Sequence, residues 1–223
     1  MRRDLISAKV IGYTQPSEEF KDSFKTPKDL IAFCARVSNP SNQLNNETAD
    51  KLIKYLIKHQ HWSPLEMCNA TLEIECPRDI ARQLLRHRSF SFQEFSQRYA
   101  DPTKDMQFVY REARLQDNKN RQNSIEVEDK ELAEMWEEKQ RLVIIAAKDA
   151  YHWATVNGIA KEQARVVLPE GNTMSKLYVQ GSIRSWIHYI QVRKDISTQK
   201  EHRELALKVA EVISKVFTYS ELV

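Results

Sequence analysis

Residues 67–76 alternate between apolar and polar side chains, and this pattern constrains the fold more than any other in the chain. Cysteine, alanine, leucine and isoleucine occupy one face, while asparagine, threonine and glutamate occupy the other. A period of two with one polar face is typical of a strand that is buried on one side only. Pro77 then marks the start of a helix that we expect to reach about His87. The sequence therefore predicts a modest antiparallel sheet with one covered face.

Helical periodicity dominates the rest of the chain, so we expect helices to outnumber strands. Further strands are predicted at 5–13 and 173–180, and further helices at 28–37, 47–59, 130–156, 160–167, 182–193 and 198–217. Thr26 and Pro27 are typical of the cap and the first residue of the first of these helices. Residues 101–129 are polar without apolar periodicity, which predicts an irregular excursion. The chain is therefore predicted to be one helix-rich α+β domain over residues 1–223.

The composition is that of a globular protein with a mild positive charge. The chain has 223 residues, 41% of them hydrophobic and 29% charged, and a formal net charge of +3, which is too small to predict wholesale nucleic-acid binding. The longest apolar run, 142–147, is far too short to span a bilayer. No apolar segment follows the basic residues Arg2 and Arg3 as it would in a signal peptide. We therefore expect no nucleic-acid partner, no membrane association and a cytoplasmic location.

Neither a metal site nor a backbone phosphate loop is predicted. The three cysteines, Cys34, Cys68 and Cys76, have no CxxC spacing and no histidine at zinc spacing. Cys68 and Cys76 share the apolar face of the strand at 67–76, so we interpret them as small core residues. The four glycines form neither GxGxxG nor GxxxxGK[ST]. Any phosphate must therefore be bound by side chains.

Residues 86–99 concentrate three arginines, a histidine, a glutamate and three serines, a set suited to anion binding. Every permanent cation from Arg78 to Arg98 is arginine, although lysine is common elsewhere in the chain. A guanidinium presents a planar fork that binds phosphate or an ionised heterocycle through two hydrogen bonds. Helical spacing places Arg78, Arg82 and Arg86 on one face. The segment therefore predicts a side-chain site for an anion.

A family signature lies in the same segment, at Arg86, His87, Arg88, Ser96, Arg98 and Tyr99. These positions resemble the Arg-His-Arg, Ser and Arg-Tyr pattern of the flavin-dependent thymidylate synthases, the thymidylate synthase-complementing protein family. Three further blocks resemble the family in the expected order, at 61–66, 164–169 and 182–193. The resemblance covers residues 35–193 and implies the fold, activity and ligands of that family.

The resemblance implies that the chain makes dTMP from dUMP by reductive methylation. It implies 5,10-methylenetetrahydrofolate as carbon donor, FAD as redox relay and NADPH or NADH as reductant. It also implies a homotetramer with flavin sites at subunit interfaces. No enzyme cysteine acts as nucleophile in this scheme, and no metal takes part.

The resemblance also assigns residues to the two ligands. Contacts with dUMP are implied for Gln83, Arg86, Glu94, Ser96, Gln97, Arg98, Arg165 and Arg193. Contacts with FAD are implied for Ser63, Glu66, Arg86, His87, Arg88, Glu94, Ser182, Arg184 and His188. Arg193 is the implied catalytic residue, because a guanidinium against the uracil ring stabilises the ionised imide. Ser96 is expected to bind and not to attack, because no general base is evident near it.

The chain departs from the family pattern at two of these positions. Gln97 stands where a small residue is usual, and Ser182 stands where asparagine is usual. The Ser182 difference affects one flavin contact, while the remaining matches still indicate the family.

Simpler structural roles are open for three of these residues. Ser63 precedes a proline and is also typical of a helix cap, with Pro64 in the first turn. Arg165 lies three residues after Glu162, and Arg193 lies two residues before Asp195, spacings that suit surface ion pairs.

The alternative class is a module that binds RNA or another single strand. Phe90, Phe92, Phe95 and Tyr99 alternate with polar residues, as stacking platforms would. That alternative explains neither Glu94 nor the matching blocks near residues 63, 165 and 193.

Overall fold

The computed structural model describes residues 5–217, which are organised around a four-stranded antiparallel sheet. The strands are β1 (Ser7–Tyr13), β2 (Asn69–Pro77), β3 (Ser91–Glu94), β4 (Arg114–Gln116), β5 (Ser124–Glu126) and β6 (Met174–Ser182). The sheet has the order β1-β2-β6-β3, and β4 pairs with β5 in a separate hairpin. The helices are α1 (Pro27–Ala35), α2 (Ala49–Lys58), α3 (Arg78–Leu84), α4 (Pro102–Asp105), α5 (Lys130–Val156), α6 (Lys161–Ala164), α7 (Ile183–Arg193) and α8 (Lys200–Val216). The predicted α+β class with a small antiparallel sheet is confirmed.

Strand β2 lies between β1 and β6 and carries the alternation that predicted it. Its Leu72 lies opposite Val10 of β1 and Val179 of β6. On the polar face, Glu73 lies within ion-pair distance of lysines on both neighbouring strands. The apolar face is buried along its whole length, at Cys68, Ala70, Leu72, Ile74 and Cys76. The predicted half-buried strand, with its two cysteines in the core, is confirmed.

Local capping explains where two of the predicted helices begin. The Thr26 side chain accepts from the Asp29 backbone, and the Asp29 carboxylate accepts from the Thr26 backbone over 2.9 Å. This reciprocal box satisfies N–H groups that the first turn leaves free. Helix α5 begins after Asp129, whose side chain accepts from the backbone of Leu132. It ends next to Gly158, whose φ of 81° suits a residue without a Cβ.

Helices α7 and α8 bury the apolar face of the sheet. Trp186 of α7 is fully buried, and its indole Nε1 donates to the Ala70 carbonyl of β2 over 3.1 Å. Helix α8 packs against β1 and α7 with fully buried Leu205, Val209 and Ile213. Helix α7 follows β6 directly, and its last residue, Arg193, contacts His87 in the turn that follows α3.

Helix α3 ends three residues before the predicted end at His87. The His87 ring packs edge-on against Tyr189, with 5.0 Å between centroids, and Phe90 packs on Trp186 at 4.4 Å. Because these two rings pack against side chains of α7, the chain leaves the helical conformation after Leu84. Gly181 permits the packing, since a Cβ there would overlap the Phe90 ring.

The polar segment 101–129 is more regular than predicted. It contains α4 and the β4–β5 hairpin. Arg111 and Arg114 pair with Glu201, which is almost fully buried at the start of α8. Ion pairs and strand hydrogen bonds hold the segment instead of an apolar face, so no hydrophobic period marks it in the sequence.

The other predicted elements agree with the structure to within two residues at each end. The helix predicted at 160–167 is divided into α6 and a 3-10 turn at Arg165–Val167. In residues 5–217, no helix combines the length and apolar composition that crossing a membrane requires.

Candidate active site

Arg193, at the end of α7, contacts His87 in the turn after α3. Its Nε donates to His87 Nε2 over 2.9 Å. A ring nitrogen that accepts from a guanidinium carries no proton, so the ring is neutral with its hydrogen on Nδ1. Burial, and then the charge of Arg193, lower the pKa of His87 from 6.5 to about 4. The pair therefore orients the guanidinium without cancelling its positive charge.

The terminal amino groups of Arg193 are free to bind a ligand. Within residues 5–217 they form no hydrogen bond or ion pair, and the side chain is half-buried. Asp195 instead accepts from the backbone and the hydroxyl of Ser197. The alternative of an ion pair between Arg193 and Asp195 is therefore wrong. A partly desolvated guanidinium fork without a partner is a strong site for an anion or a polarised carbonyl.

Gln83 of α3 is held by the start of α8. Its Nε2 donates to Gln199 Oε1 over 2.7 Å, and its Oε1 lies 3.1 Å from His202 Nδ1. Gln199 in turn donates to Glu201 over 3.1 Å. Sequence reasoning missed these α8 residues. The one signal for them is that Glu201 and His202 continue the helical register of the buried positions 205, 206, 209 and 210.

Glu94, at the end of β3, pairs with the two arginines of α3, Arg78 and Arg82. Its Oε1 accepts from Arg78 Nη1 over 3.1 Å, from Arg82 Nη2, and from the Ser175 hydroxyl over 2.7 Å. In the described part of the chain its Oε2 has no partner. The carboxylate is thus fixed in place with one oxygen available to a donor group.

Arg86 and Arg88 keep their positive charges unpaired. Both side chains are exposed, and within residues 5–217 neither forms a hydrogen bond or an ion pair. Together with Arg193 they concentrate positive charge around the turn after α3. That concentration suits a ligand that carries phosphate groups.

Glu66 and Arg184 form a second polar group, joined to the first by α7. Arg184 Nη1 donates to Glu66 Oε1 over 2.7 Å. The Ser182 hydroxyl, against the opposing effect of burial, and the charge of Arg184 lower the pKa of Glu66. His188, one turn after Arg184, lies edge-on against Trp62 with 4.4 Å between ring centroids. Arg184 and His188 therefore share one face of α7, next to the Ser63–Glu66 turn.

Ser63 and Ser182 have different roles. Ser63 opens the 3-10 turn Ser63–Glu66, and no side-chain cap hydrogen bond forms there. The helix-cap alternative for Ser63 is therefore wrong, and its exposed hydroxyl is available to a ligand. Ser182 caps α7 by accepting from the Ser185 backbone over 3.2 Å. The residue that departs from the family pattern thus has a structural function.

Arg98 and Arg165 both contact Glu162, next to the end of α6. Arg98 Nη2 lies 3.1 Å from the carboxylate, whereas Arg165 Nε donates to the backbone carbonyl over 3.3 Å. The ion pair between Arg165 and the Glu162 carboxylate is therefore wrong, because Arg98 takes that carboxylate. Ser96 accepts from the Arg98 backbone over 3.3 Å. In residues 5–217, no hydrogen bond or ion pair joins this third group to Arg193.

Thiol and metal chemistry have no evident site in the described residues. Cys68 and Cys76 are fully buried, and burial raises the pKa of each to about 12. Burial also raises the pKa of Cys34. Among residues 5–217, no three histidine, cysteine, aspartate or glutamate side chains are grouped to hold a metal ion.

Most aromatic residues of this region pack inward, so they do not form a continuous open stacking surface. Phe90 is buried, and Phe92 packs partly buried against the core, while Tyr99 is largely exposed. Gln97 is also buried. A single-strand-binding module needs successive exposed rings. The geometry therefore disfavours the nucleic-acid alternative.

The fold and the site define an α+β protein with unpaired arginine side chains, within residues 5–217, around the turn after α3. Residues 19–217 match the family described as thymidylate synthase complementing protein. The chain belongs to this family, so the resemblance in its four sequence blocks is confirmed.

Similar proteins agree with that assignment. A probable flavin-dependent thymidylate synthase of Paramecium bursaria Chlorella virus 1 is 46% identical over 95% of both chains. A flavin-dependent thymidylate synthase of Synechocystis sp. is 46% identical over 95% of this chain and 96% of its own. The crystal structure of the UMP/dUMP methylase PolB from Streptomyces cacaoi, bound with 5-Br dUMP, has a TM-score of 0.76 and covers 96% of this chain and 92% of its own. At 23% identity, PolB supports the fold alone.

Proposed function

We propose that the chain is a flavin-dependent thymidylate synthase that converts dUMP into dTMP. The one-carbon unit comes from 5,10-methylenetetrahydrofolate, which leaves as tetrahydrofolate. Carbon 5 of the uracil ring gives up its proton, and a hydride equivalent from NADPH or NADH reduces the transferred methylene to a methyl group. We assign the reaction to the cytoplasm and propose no nucleic-acid or membrane partner.

The observation that carries this proposal is the free guanidinium fork of Arg193, oriented by neutral His87. A guanidinium beside uracil stabilises the negative charge that forms when the imide loses its proton. This charge is delocalised over the ring and raises the electron density at carbon 5, where alkylation takes place. Since His87 accepts from Arg193 without carrying a charge, the full cation remains available to the substrate.

Other side chains provide the remaining contacts that dUMP needs. Arg86 offers an unpaired cation for the phosphate, and we assign Arg98 and Arg165 to the same ligand. Glu94 keeps one carboxylate oxygen for a hydroxyl or N–H donor of the nucleotide. Gln83 keeps one amide hydrogen, because its other contacts use a single donor and a single acceptor site. These residues, with Ser96 and Gln97, form the proposed dUMP site.

The second polar group fits a flavin dinucleotide. FAD, when bound, supplies the redox chemistry between the nicotinamide and the one-carbon unit. Arg88 offers an exposed, unpaired cation for a pyrophosphate, and Ser63 offers a free hydroxyl. The pair of Glu66 and Arg184, with His188 beside it, offers donors and acceptors for a polar heterocycle. We assign these residues, with Arg86, His87, Glu94 and Ser182, to FAD.

The thiols support activation by Arg193 over attack by a cysteine. A nucleophilic cysteine must be a thiolate and must reach its substrate. Cys68 and Cys76 are buried with a pKa of about 12, so they remain protonated and inaccessible. Replacement of Cys34 by serine is therefore expected to leave turnover intact.

Subunit association is supported by the outer face of α5. A stripe of exposed apolar side chains runs along this helix, including Trp136, Leu142, Val143, Trp153 and Val156. Trp153 is 61% exposed and Val156 is 64% exposed in a single chain. An apolar stripe of this length is typical of a surface that another protein chain covers. We propose a homotetramer with flavin sites at its interfaces.

A purified sample tests the proposal directly. We expect flavin absorbance in the protein as isolated or after FAD titration, and formation of dTMP when dUMP, the folate and NADPH are added. Absence of FAD binding at micromolar concentration would contradict the proposed function. Formation of dTMP that requires Cys34 would contradict the cysteine-free mechanism while leaving the activity itself intact.

A further inference from the structure

The amide of Gln83 is held at both of its ends by α8. Its nitrogen donates to Gln199 Oε1 over 2.7 Å, and its oxygen lies 3.1 Å from His202 Nδ1. His202 is 0% exposed, and its second nitrogen, Nε2, is buried without a hydrogen-bond partner among residues 5–217. Within residues 5–217, the buried His202 ring therefore forms one hydrogen bond through its nitrogens, and the partner is Gln83.

The direction of these hydrogen bonds follows from Glu201. Burial opposes its ionisation, yet the hydrogen bond from Arg114 and the charge of Arg111 lower the pKa of Glu201 below its ordinary value. The ionised carboxylate can only accept, so Gln199 must turn its NH₂ group towards it and its oxygen towards Gln83.

The same reasoning fixes the proton on His202. Gln83 must turn its NH₂ group towards Gln199, which leaves its oxygen facing His202. His202 Nδ1 therefore carries the hydrogen and donates it, while Nε2 carries a lone pair. The Tyr189 ring lies 5.7 Å from the His202 ring, and in the described part of the chain the Tyr189 hydroxyl is also buried without a partner.

An apolar residue would fill this core position at less cost than histidine. A buried nitrogen without a partner loses its hydrogen bond to water and gains none in return, so Nε2 destabilises the folded chain. Local costs of this kind are typical of residues that serve a site. The compensating feature is the bond to Gln83, which orients a residue of the proposed dUMP site.

We propose that His202 is a positioning residue for nucleotide binding, which holds the Gln83 amide in the one orientation that presents its remaining N–H to dUMP. This inference rests on the proposed function, in which Gln83 contacts dUMP. His202 itself is too deeply buried to touch the substrate.

Two substitutions separate positioning from packing. In FAD-loaded protein, His202→Leu removes the donor, while His202→Asn keeps an N–H near the place of Nδ1. We expect His202→Leu to raise the Kd for dUMP about tenfold and to leave the Kd for FAD unchanged. His202→Asn should restore the dUMP affinity to within about threefold of the unsubstituted protein. Equal dUMP affinity in His202→Leu and unsubstituted protein would overturn the role, and so would equal weakening by both substitutions.

A spectroscopic measurement keeps the inference testable if His202→Leu does not fold. In protein labelled with ¹⁵N-histidine, the His202 resonances should show a neutral ring with its proton on Nδ1. A proton on Nε2 would overturn the proposed hydrogen-bond direction. Unsubstituted protein that binds FAD but no dUMP would overturn the proposed function, whereas the outcomes above would overturn the His202 role alone.

Discussion

Acidification is expected to destabilise the folded protein through His202. This fully buried ring is surrounded by Arg193 and Tyr189 of α7 and by His87 after α3. Burial, then the charge of Arg193 and then His87, lower the pKa of His202 from 6.5 to about 3. In the unfolded chain the ring regains its ordinary pKa and binds a proton that the folded chain excludes. This contribution to stability is therefore complete above about pH 6.5 and is lost as the pH falls towards about 3.

The size of the effect follows from proton linkage. Between pH 7 and pH 5, the unfolded ring changes from about one quarter protonated to almost fully protonated. The folded ring stays neutral over that interval, so the free energy of unfolding falls by ~2 kcal/mol because of this residue. The magnitude depends little on the folded pKa as long as that pKa is below about 4. His87, whose pKa is also lowered to about 4, acts in the same direction.

Denaturant unfolding at pH 7 and pH 5, at one protein concentration, measures this effect. His202→Asn keeps a hydrogen-bond donor but does not titrate, so the unsubstituted protein should lose ~2 kcal/mol more than this variant. The carboxylates titrate in both proteins and cancel in the comparison. His152→Asn, at an exposed position of α5, is the matched control and should behave like the unsubstituted protein. Equal losses in the unsubstituted protein and in His202→Asn would refute the reasoning.

Three further predictions concern the proposed reaction. Arg193→Ala should lower the rate of dTMP formation about a hundredfold or more and spare FAD binding, because its partner is the uracil ring; near-normal turnover would contradict this role. Arg184→Ala should weaken FAD binding in a fluorescence titration, whereas Arg141→Ala, which breaks an exposed ion pair on α5, should not; equal effects would remove Arg184 from the flavin site. Mixed Arg165→Ala and Arg193→Ala subunits, after exchange confirmed by mass, should regain about a quarter of their sites if different chains supply these arginines to one site; no recovery would place both in one chain.

The elements that local sequence defines were predictable. The alternation at 67–76 predicted β2 because each side chain reports its own face. The Thr26 and Asp29 cap fixed the start of α1 through residues three positions apart. The extent of α5 was also predicted correctly, from residue 130 to residue 156. In each case the pattern and the structure lie within the same short segment. The single-domain organisation of residues 1–223 stays a prediction.

The elements that depend on distant contacts were not predictable. Helix α3 ends early because His87 packs against Tyr189, about a hundred residues further along the chain. The hairpin in the polar segment is anchored by Arg111 and Arg114 to Glu201, and nothing in the local pattern indicates that partner. Long-range polar pairs leave no periodic trace in a single sequence.

In the candidate site, the local sequence also indicates the residue types, whereas distant contacts determine their partners. Periodicity makes Arg78, Arg82 and Arg86 equivalent, because a helix that reached about His87, as predicted, would carry all three on one face. The structure separates them, since Glu94 on β3 neutralises the first two while Arg86 stays unpaired within residues 5–217. An anion that approaches this face therefore meets one free guanidinium and a fixed carboxylate instead of three cations. The arginines and the carboxylate of these ion pairs lie on different elements. The packing of α3 against β3 therefore determines the charge that a ligand encounters.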